Sequence, residues 1–204
     1  MINAVGRDIP EEILKQTGKE VFQGNYYKDG KPFKKAGPMV TPVMNHDHDK
    51  MVKDIHEALV KCHAHDGMTV SFHHHFRDGD LVVCMVMKEI QKMGLKDITI
   101  SASSLGKAHD DLVPLIEDGT ITNIESSGVR GKIGEAISHG KLKGLATMRS
   151  HGGRVRALVT GETHVDIAFI GAPTCDEYGN CRGIGGKTNC GVLSYSYVDG
   201  NQAD

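Results

Sequence analysis

From about residue 54 onward the chain settles into a regular alternation of short apolar runs and helical stretches, each handed to the next through Gly, Ser or Asp. "MTVSFH" (68–73) predicts a strand and "DGDLVVCMVMKEIQKMGL" (78–95) a helix. The Asp80 carboxylate suits the positive N-terminal end of that helix, and Gly94 suits its C-terminal cap. "DITISASS" predicts the next strand, followed by a helix near 110–117, strand "ITNIESS", a helix within "GKIGEAISHGKLKG", strand "LATMRS" and strand "VDIAFIGAP". Strands that are nearly all apolar and alternate with helices imply a mostly parallel open sheet with helices on both faces, an α/β fold. Residues 1–53 do not share the rhythm. They are polar and interrupted by Gly24, Gly30, Pro32, Gly37, Pro38 and Pro42, and are read as an N-terminal extension packing on a domain of residues 54–204.

Composition narrows the function classes. The formal net charge is -2 in 204 residues, so the totals suggest neither a nucleic-acid-binding face nor a membrane-surface partner. No apolar run approaches the roughly 20 residues of a membrane span. Glu11, Glu12, Lys15 and Lys19 break up any signal-peptide pattern, so a soluble, cytoplasmic protein is expected. Five cysteines at irregular spacing argue against a disulfide framework; Cys84 belongs to an apolar helix, whereas Cys175, Cys181 and Cys190 share a glycine-rich stretch.

In open parallel sheets ligands bind beyond the carboxyl ends of the strands, where loops and helix N-termini converge. Those ends hold His73, His74, His75, Phe76 and Arg77 after the first strand, and Ser103 and Ser104 after the second. Ser126, Ser127 and Gly128 follow the third, His151, Gly152, Gly153 and Arg154 the fourth, and Thr174 with Cys175 the fifth. Short hydroxyls and glycines allow the close backbone approach that a ligand bearing phosphates and amides requires, although the same residues also populate ordinary turns.

The histidine triplet raises the question of a metal. Neighbouring residues in an extended segment point to opposite faces, so His73 and His75 alone could share an ion, with further ligands from His46 and His48 or from His63 and His65. No His-Glu-x-x-His pattern occurs, and the expectation is no metal. "GNCRGIGGKT" fails as a Walker A loop because Cys181 stands where its first glycine is needed, and it fails the dinucleotide pattern at Thr188.

"VDIAFIGAPTCDEYGN" (165–180) resembles the coenzyme A transferases, in which an apolar strand ends in a loop holding the equivalents of Asp176, Gly179 and Asn180. The combination "TVSFHHHFRDGD", "ISASSL", "SSGVRGKIG", "RSHGGR" and "APTCDEYGNCRG" is similar to the citrate lyase alpha chains within that superfamily, over essentially the whole sequence. Such chains are longer, so the sequence is expected to stop before the family's second half. The resemblance implies a coenzyme A transferase-like (Rossmann-like) domain and an acyl exchange: acetyl-carrier plus citrate gives citryl-carrier plus acetate. It implies no tightly bound cofactor, the thiol belonging to a CoA-like prosthetic group on an acyl carrier protein. The implied partners are the acyl carrier (gamma) and lyase (beta) subunits in an oligomer, with a mixed anhydride rather than a covalent enzyme intermediate.

The chemistry of that exchange sets its own demands. A tetrahedral oxyanion requires pre-placed donors, each worth on the order of 3 kcal/mol. His73, His74 and Arg77 are the expected catalytic donors, with Arg77 and Arg154 as cations for the citrate carboxylates. Two other readings stand beside this one. A sugar-phosphate isomerase would use Asp78, Asp80 or Asp176 as base, and a non-catalytic half-domain would serve to dock partner subunits.

Overall fold

A computed structural model describes residues 1–3, 6–19, 21, 27–28, 31–32, 50–73 and 80–204. The extension contributes helix α1 (Glu11–Thr17) and a two-residue pair of strands, β1 (Tyr27–Lys28) and β2 (Lys31–Pro32). Lys19 Nζ donates to the carbonyls of Leu142 and Gly144, and the Lys50 amide donates to the Glu177 carbonyl, so the described residues of the extension are tied to the rest of the chain at Lys19 and at Lys50.

Helix α2 (Ile55–Lys61) starts where Asp54 accepts from the Glu57 amide at 2.8 Å while the Glu57 carboxylate accepts from the Lys53 amide. The alternating units then follow in order. Strand β3 (Thr69–His73) leads to α3 (Val82–Lys92), and β4 (Ile98–Ala102) to a 3-10 segment (Lys107–Leu112) and α4 (Val113–Glu117). Strand β5 (Ile121–Ser126) leads to α5 (Gly131–Ser138), and β6 (Ala146–Met148) to α6 (His151–Thr160). Strand β7 (Ile167–Ile170), a short hairpin of β8 (Thr174–Cys175) and β9 (Cys181–Arg182), and α7 (Tyr195–Gln202) complete the chain.

The main sheet has the order β6-β5-β4-β3-β7 with every pair parallel. Strand-to-strand steps run one way from β3 to β6, and the chain then returns past β3 to place β7 on its far side. Right-handed crossovers put the connecting helices on opposite faces for opposite directions of travel, which separates α3 to α5 from α6. Side-chain alternation agrees with that division. Val70, Phe72, Ile98, Ile100 and Ile124 turn into one core with Val83, Val86, Met87 and Ile90 of α3, all at 1% exposure or less. Ser71 and Ser101, paired in register, turn to the other face and meet Arg154 of α6.

The predicted α/β architecture is the one observed. Leu81 and Met85 are more than half exposed, because at helical spacing they fall away from the buried stripe of Val83, Val86, Met87 and Ile90. "RSHGGRVRALVT", read as a strand end and loop, contains α6; Ser150 caps it by accepting from the Gly153 amide at 3.0 Å, and Gly161 ends it at φ 75°. The stretch "NCGVLSYSYVDG" contains the start of α7. Its Ser-Tyr alternation mimics a strand, yet Ser196 and Asp199, three apart, are the residues buried.

Candidate functional site

Because all five strands are parallel, their carboxyl ends lie on one edge, and the reversal of strand order falls between β3 and β7. That switch point is where adjacent loops diverge and leave a crevice. His73 ends β3 there with 8% exposure. Its ring meets the Tyr195 ring edge-on at 5.5 Å, and Tyr195 also meets His151, the first residue of α6, at 5.5 Å. Two imidazoles far apart in the sequence thus flank one phenol at the mouth of the switch point. Tyr195 was not foreseen; its signal is tertiary, since α7 is placed by contacts with β3, β7 and α6. Ser194, immediately before it, adopts φ 46°, a conformation that a non-glycine residue holds only where its surroundings enforce it.

The neighbouring strand ends carry the predicted hydroxyls. Ser103 is buried at the end of β4, Ser104 half-buried beside it, and the Ser127 amide donates to the Ser103 carbonyl at 3.2 Å, which ties the two loops together. Ser126 closes its own turn: its hydroxyl donates to the Gly128 carbonyl at 3.0 Å, and the Gly128 amide donates back at 3.2 Å. The Ser127 hydroxyl oxygen is buried and has no hydrogen-bond partner among the described residues. Gly152 has open space where a side chain would stand, whereas the Gly153 amide is committed to the Ser150 cap.

Arg154, expected as a cation for a citrate carboxylate, is engaged within the protein instead. It is 2% exposed, and one of its nitrogens donates to Asp199 at 2.7 Å, to Ser71 at 3.1 Å and to Ser101 at 3.4 Å. Its carboxylate partner comes from α7, so the pair clamps α6 and α7 onto the polar face of the sheet beneath the edge. Beside it, Arg149 and Arg156 share the buried Glu162 carboxylate, which fixes the end of β6 against α6.

At the end of β7 the chain forms the second wall. Thr174 donates to the Ile184 carbonyl at 3.0 Å. Asp176 accepts from the amides of Tyr178 (3.0 Å) and Asn180 (2.8 Å) and from the Asn180 side chain (2.8 Å), with Gly179 at φ 85° between them. Those bonds, the Asn180 side chain first, hold the Asp176 carboxyl below its ordinary pKa, so it is an ionised turn-former. A cavity of about 680 Å³ opens next to this hairpin, lined by Ala172, Pro173, Gly185, Gly186, Lys187 and Thr188. Gly186 is required there, since a Cβ would stand 2.5 Å from the Pro173 carbonyl oxygen. Lys187 and Thr188, from the stretch that fails as a nucleotide motif, supply a cation and a hydroxyl to the wall.

Of the other predicted residues, His74, His75 and Arg77, as well as Asp78, His46 and His48, lie outside the described residues. Asp80 is buried and accepts from the Val82 amide at 2.8 Å at the start of α3, which, with the engagement of Asp176, commits two of the three carboxylates considered as isomerase bases. His63 and His65 lie before β3, and His65 bonds the His63 carbonyl at 3.1 Å. Among the described residues one group has metal-compatible donors, His164, Asp166 and Asp204. It sits at the amino end of β7, where Asp166 accepts from the Thr69 amide, on the edge opposite the cavity. No helix among the described residues is long and apolar enough to cross a membrane.

Comparison with known proteins gives this geometry its context. The family described as citrate lyase, alpha subunit (CitF), matches residues 48–204. Two curated relatives named citrate lyase alpha chain, from Haemophilus influenzae and Escherichia coli, are 47% identical over 155 residues and 48% identical over 154 residues. Each alignment covers 76% of this chain, but only 31% and 30% of the relative, so the match spans about a third of those proteins. A crystal structure described as an alpha subunit of citrate lyase from Streptococcus mutans in complex with citrate superposes with a TM-score of 0.80 at 48% identity, covering 99% of this chain and 39% of that one. The chain belongs to the citrate lyase alpha subunit family.

Proposed function

We propose that this chain supplies the α/β unit on which citrate and an acyl thioester meet for acyl exchange, acetyl-carrier plus citrate giving citryl-carrier plus acetate. The observation that carries the reading is the convergence of five parallel strand ends on one edge beside the β3/β7 switch point, in a chain whose crystallised relative is described with citrate. In the exchange a citrate carboxylate displaces the thiol of the acetyl thioester, forming a citrate–acetate mixed anhydride. The released thiolate then attacks the citryl carbonyl and expels acetate. No side chain of this unit becomes acylated.

Each tetrahedral intermediate places negative charge on a carbonyl oxygen. The His73 and His74 imidazoles and the Ser127 hydroxyl are the donors assigned to it, the last because its oxygen is buried and its hydrogen-bonding capacity uncommitted. Arg77 and Lys187 are assigned to the citrate carboxylates. Arg154 acts indirectly, by fixing the α6 and α7 ends that carry His151 and Tyr195. The thiol belongs to a CoA-like prosthetic group on an acyl carrier protein, and a separate lyase subunit cleaves the citryl product; both are proposed partners in a cytoplasmic complex.

Calorimetric titration of the chain with citrate and with acetyl-CoA, with and without a chelator, tests the reading. Citrate binding is expected to survive the chelator and to disappear in Arg77→Ala while acetyl-CoA binding persists. Binding abolished by the chelator would make the histidines metal ligands, and absence of binding by either compound would remove the site from this unit.

A further inference from the structure

The hairpin next to the cavity carries two thiols in a relationship the sequence spacing does not reveal. Cys175 of β8 and Cys181 of β9 are direct cross-strand partners. In the adjacent pair the Asp176 amide donates to the Asn180 carbonyl at 3.1 Å, so in an antiparallel ribbon the cysteines occupy the non-hydrogen-bonded position. Opposite residues there have Cα atoms about 4.5 Å apart and project from the same face. Disulfides need a Cα separation of roughly 4.4–6.8 Å, so the backbone is already within bridging range.

Both residues are exposed and reduced. The Cys181 thiol donates to the Gly179 carbonyl at 3.7 Å, across the mouth of the same turn. Burial, and then the neighbouring Asp176 carboxylate among nearby negative charge, pushes the Cys181 thiol up. The other thiols are placed for different ends. Cys84 is buried and donates to the Ala108 carbonyl, Cys62 follows α2, and Cys190 is held by its amide to the Gly183 carbonyl outside the ribbon.

We propose that Cys175 and Cys181 form a reversible redox site, a cross-strand dithiol that hydrogen peroxide converts to a disulfide, which locks the hairpin beside the cavity. One thiolate attacks a peroxide oxygen, becoming a sulfenic acid as the other oxygen leaves as hydroxide and takes a proton to form water. The second thiol then displaces the sulfenic oxygen, which leaves as a second water. Two S–H bonds and the O–O bond are replaced by one S–S bond and two waters; the sulfurs are oxidised and the peroxide reduced. A thiol reductant reverses the reaction by exchange. The bond closes a ring around the Asp176–Asn180 turn, and cross-strand geometry at such a position strains it, which places it among readily reduced bridges rather than permanent ones. The inference is independent of the citrate reading, because it rests on the ribbon alone.

The test uses the full chain exposed to hydrogen peroxide, alkylated, digested and mapped by mass spectrometry without reduction. The expected product is a peptide holding Cys175 and Cys181, lighter by two hydrogens, unalkylated at both, and restored by dithiothreitol. Cys190→Ser should leave that product unchanged, and Cys175→Ser should abolish it. Formation should quicken with rising pH as more Cys181 becomes thiolate. Full alkylation of both residues after oxidation, a Cys181–Cys190 link, or separate over-oxidation of the two sulfurs would each overturn the proposal. These outcomes are read in the wild type and Cys190→Ser, whatever the folding of Cys175→Ser.

Discussion

Replacing Asp199 by asparagine keeps the shape of α7 but removes the negative charge facing Arg154. The guanidinium would remain 2% exposed, with Ser71 and Ser101 as neutral neighbours and with two of its nitrogens, Nε and Nη1, already without a hydrogen-bond partner among the described residues. An uncompensated buried charge costs about 3–5 kcal/mol. For a chain of this size each kcal/mol lowers Tm by roughly 2–4 °C, so Asp199→Asn should lose about 6–20 °C. Removing both charges is a different perturbation, since Arg154→Met with Asp199→Leu takes away the desolvation cost along with the attraction. The double variant should recover more than half of the single-variant loss, the remainder reflecting the hydroxyls of Ser71 and Ser101 left without their donor. The chain contains no tryptophan, so far-UV circular dichroism during urea and thermal unfolding is the suitable assay. A loss below about 1 kcal/mol for Asp199→Asn, or a double variant less stable than the single one, would refute the clamp.

Other consequences follow from the same geometry. Burial pushes the Asp118 carboxyl up, but bonds from Thr120, Gln91 and Lys96 outweigh it and bring the pKa from 3.8 down to about 2. A depressed folded-state pKa stabilises the fold above the ordinary value and is lost as pH falls through the lower one, so the deficit of Asp118→Asn should vanish between pH 3.8 and about 2. With Asp118 one-third exposed, solvent screening limits that deficit to about 1 kcal/mol in urea titrations. Gly183→Ala would place a Cβ 1.6 Å from the Gly191 carbonyl oxygen, so limited proteolysis should cut that variant between 183 and 191 well before the wild type. Tyr195→Ala removes two ring contacts worth roughly 0.5–1.5 kcal/mol each, whereas Tyr195→Phe keeps them; equal melting temperatures for the two variants would show that the rings do not matter.

Much of this arrangement could be read from the residues. The apolar runs at Val70, Ile98, Ile124 and Ile167 announce parallel strands, and the rule that ligands gather at strand carboxyl ends singles out Ser103, Ser127 and His151. What escaped is tertiary in origin. The two glycines at the start of α6 look like a loop, and only the Ser150 cap and the buried Arg154, Ala157 and Leu158 make them helical. Arg154 looked like a ligand cation because its partner lies 45 residues away, on a helix that the Ser-Tyr alternation disguises as a strand. Tyr195 and the Cys175–Cys181 pairing went unseen for the same reason: neither has a local period, and each takes its meaning from what the fold places opposite.

The most direct test is to titrate citrate into isotopically labelled chain and follow backbone amide shifts by NMR. Shifts gathering on His73, Ser103, Ser127, His151 and Tyr195, at the carboxyl edge by β3 and β7, are the predicted result. Shifts confined to the amino edge, around Thr69, Ile98 and Ile121, or no shift at saturating citrate, would contradict it.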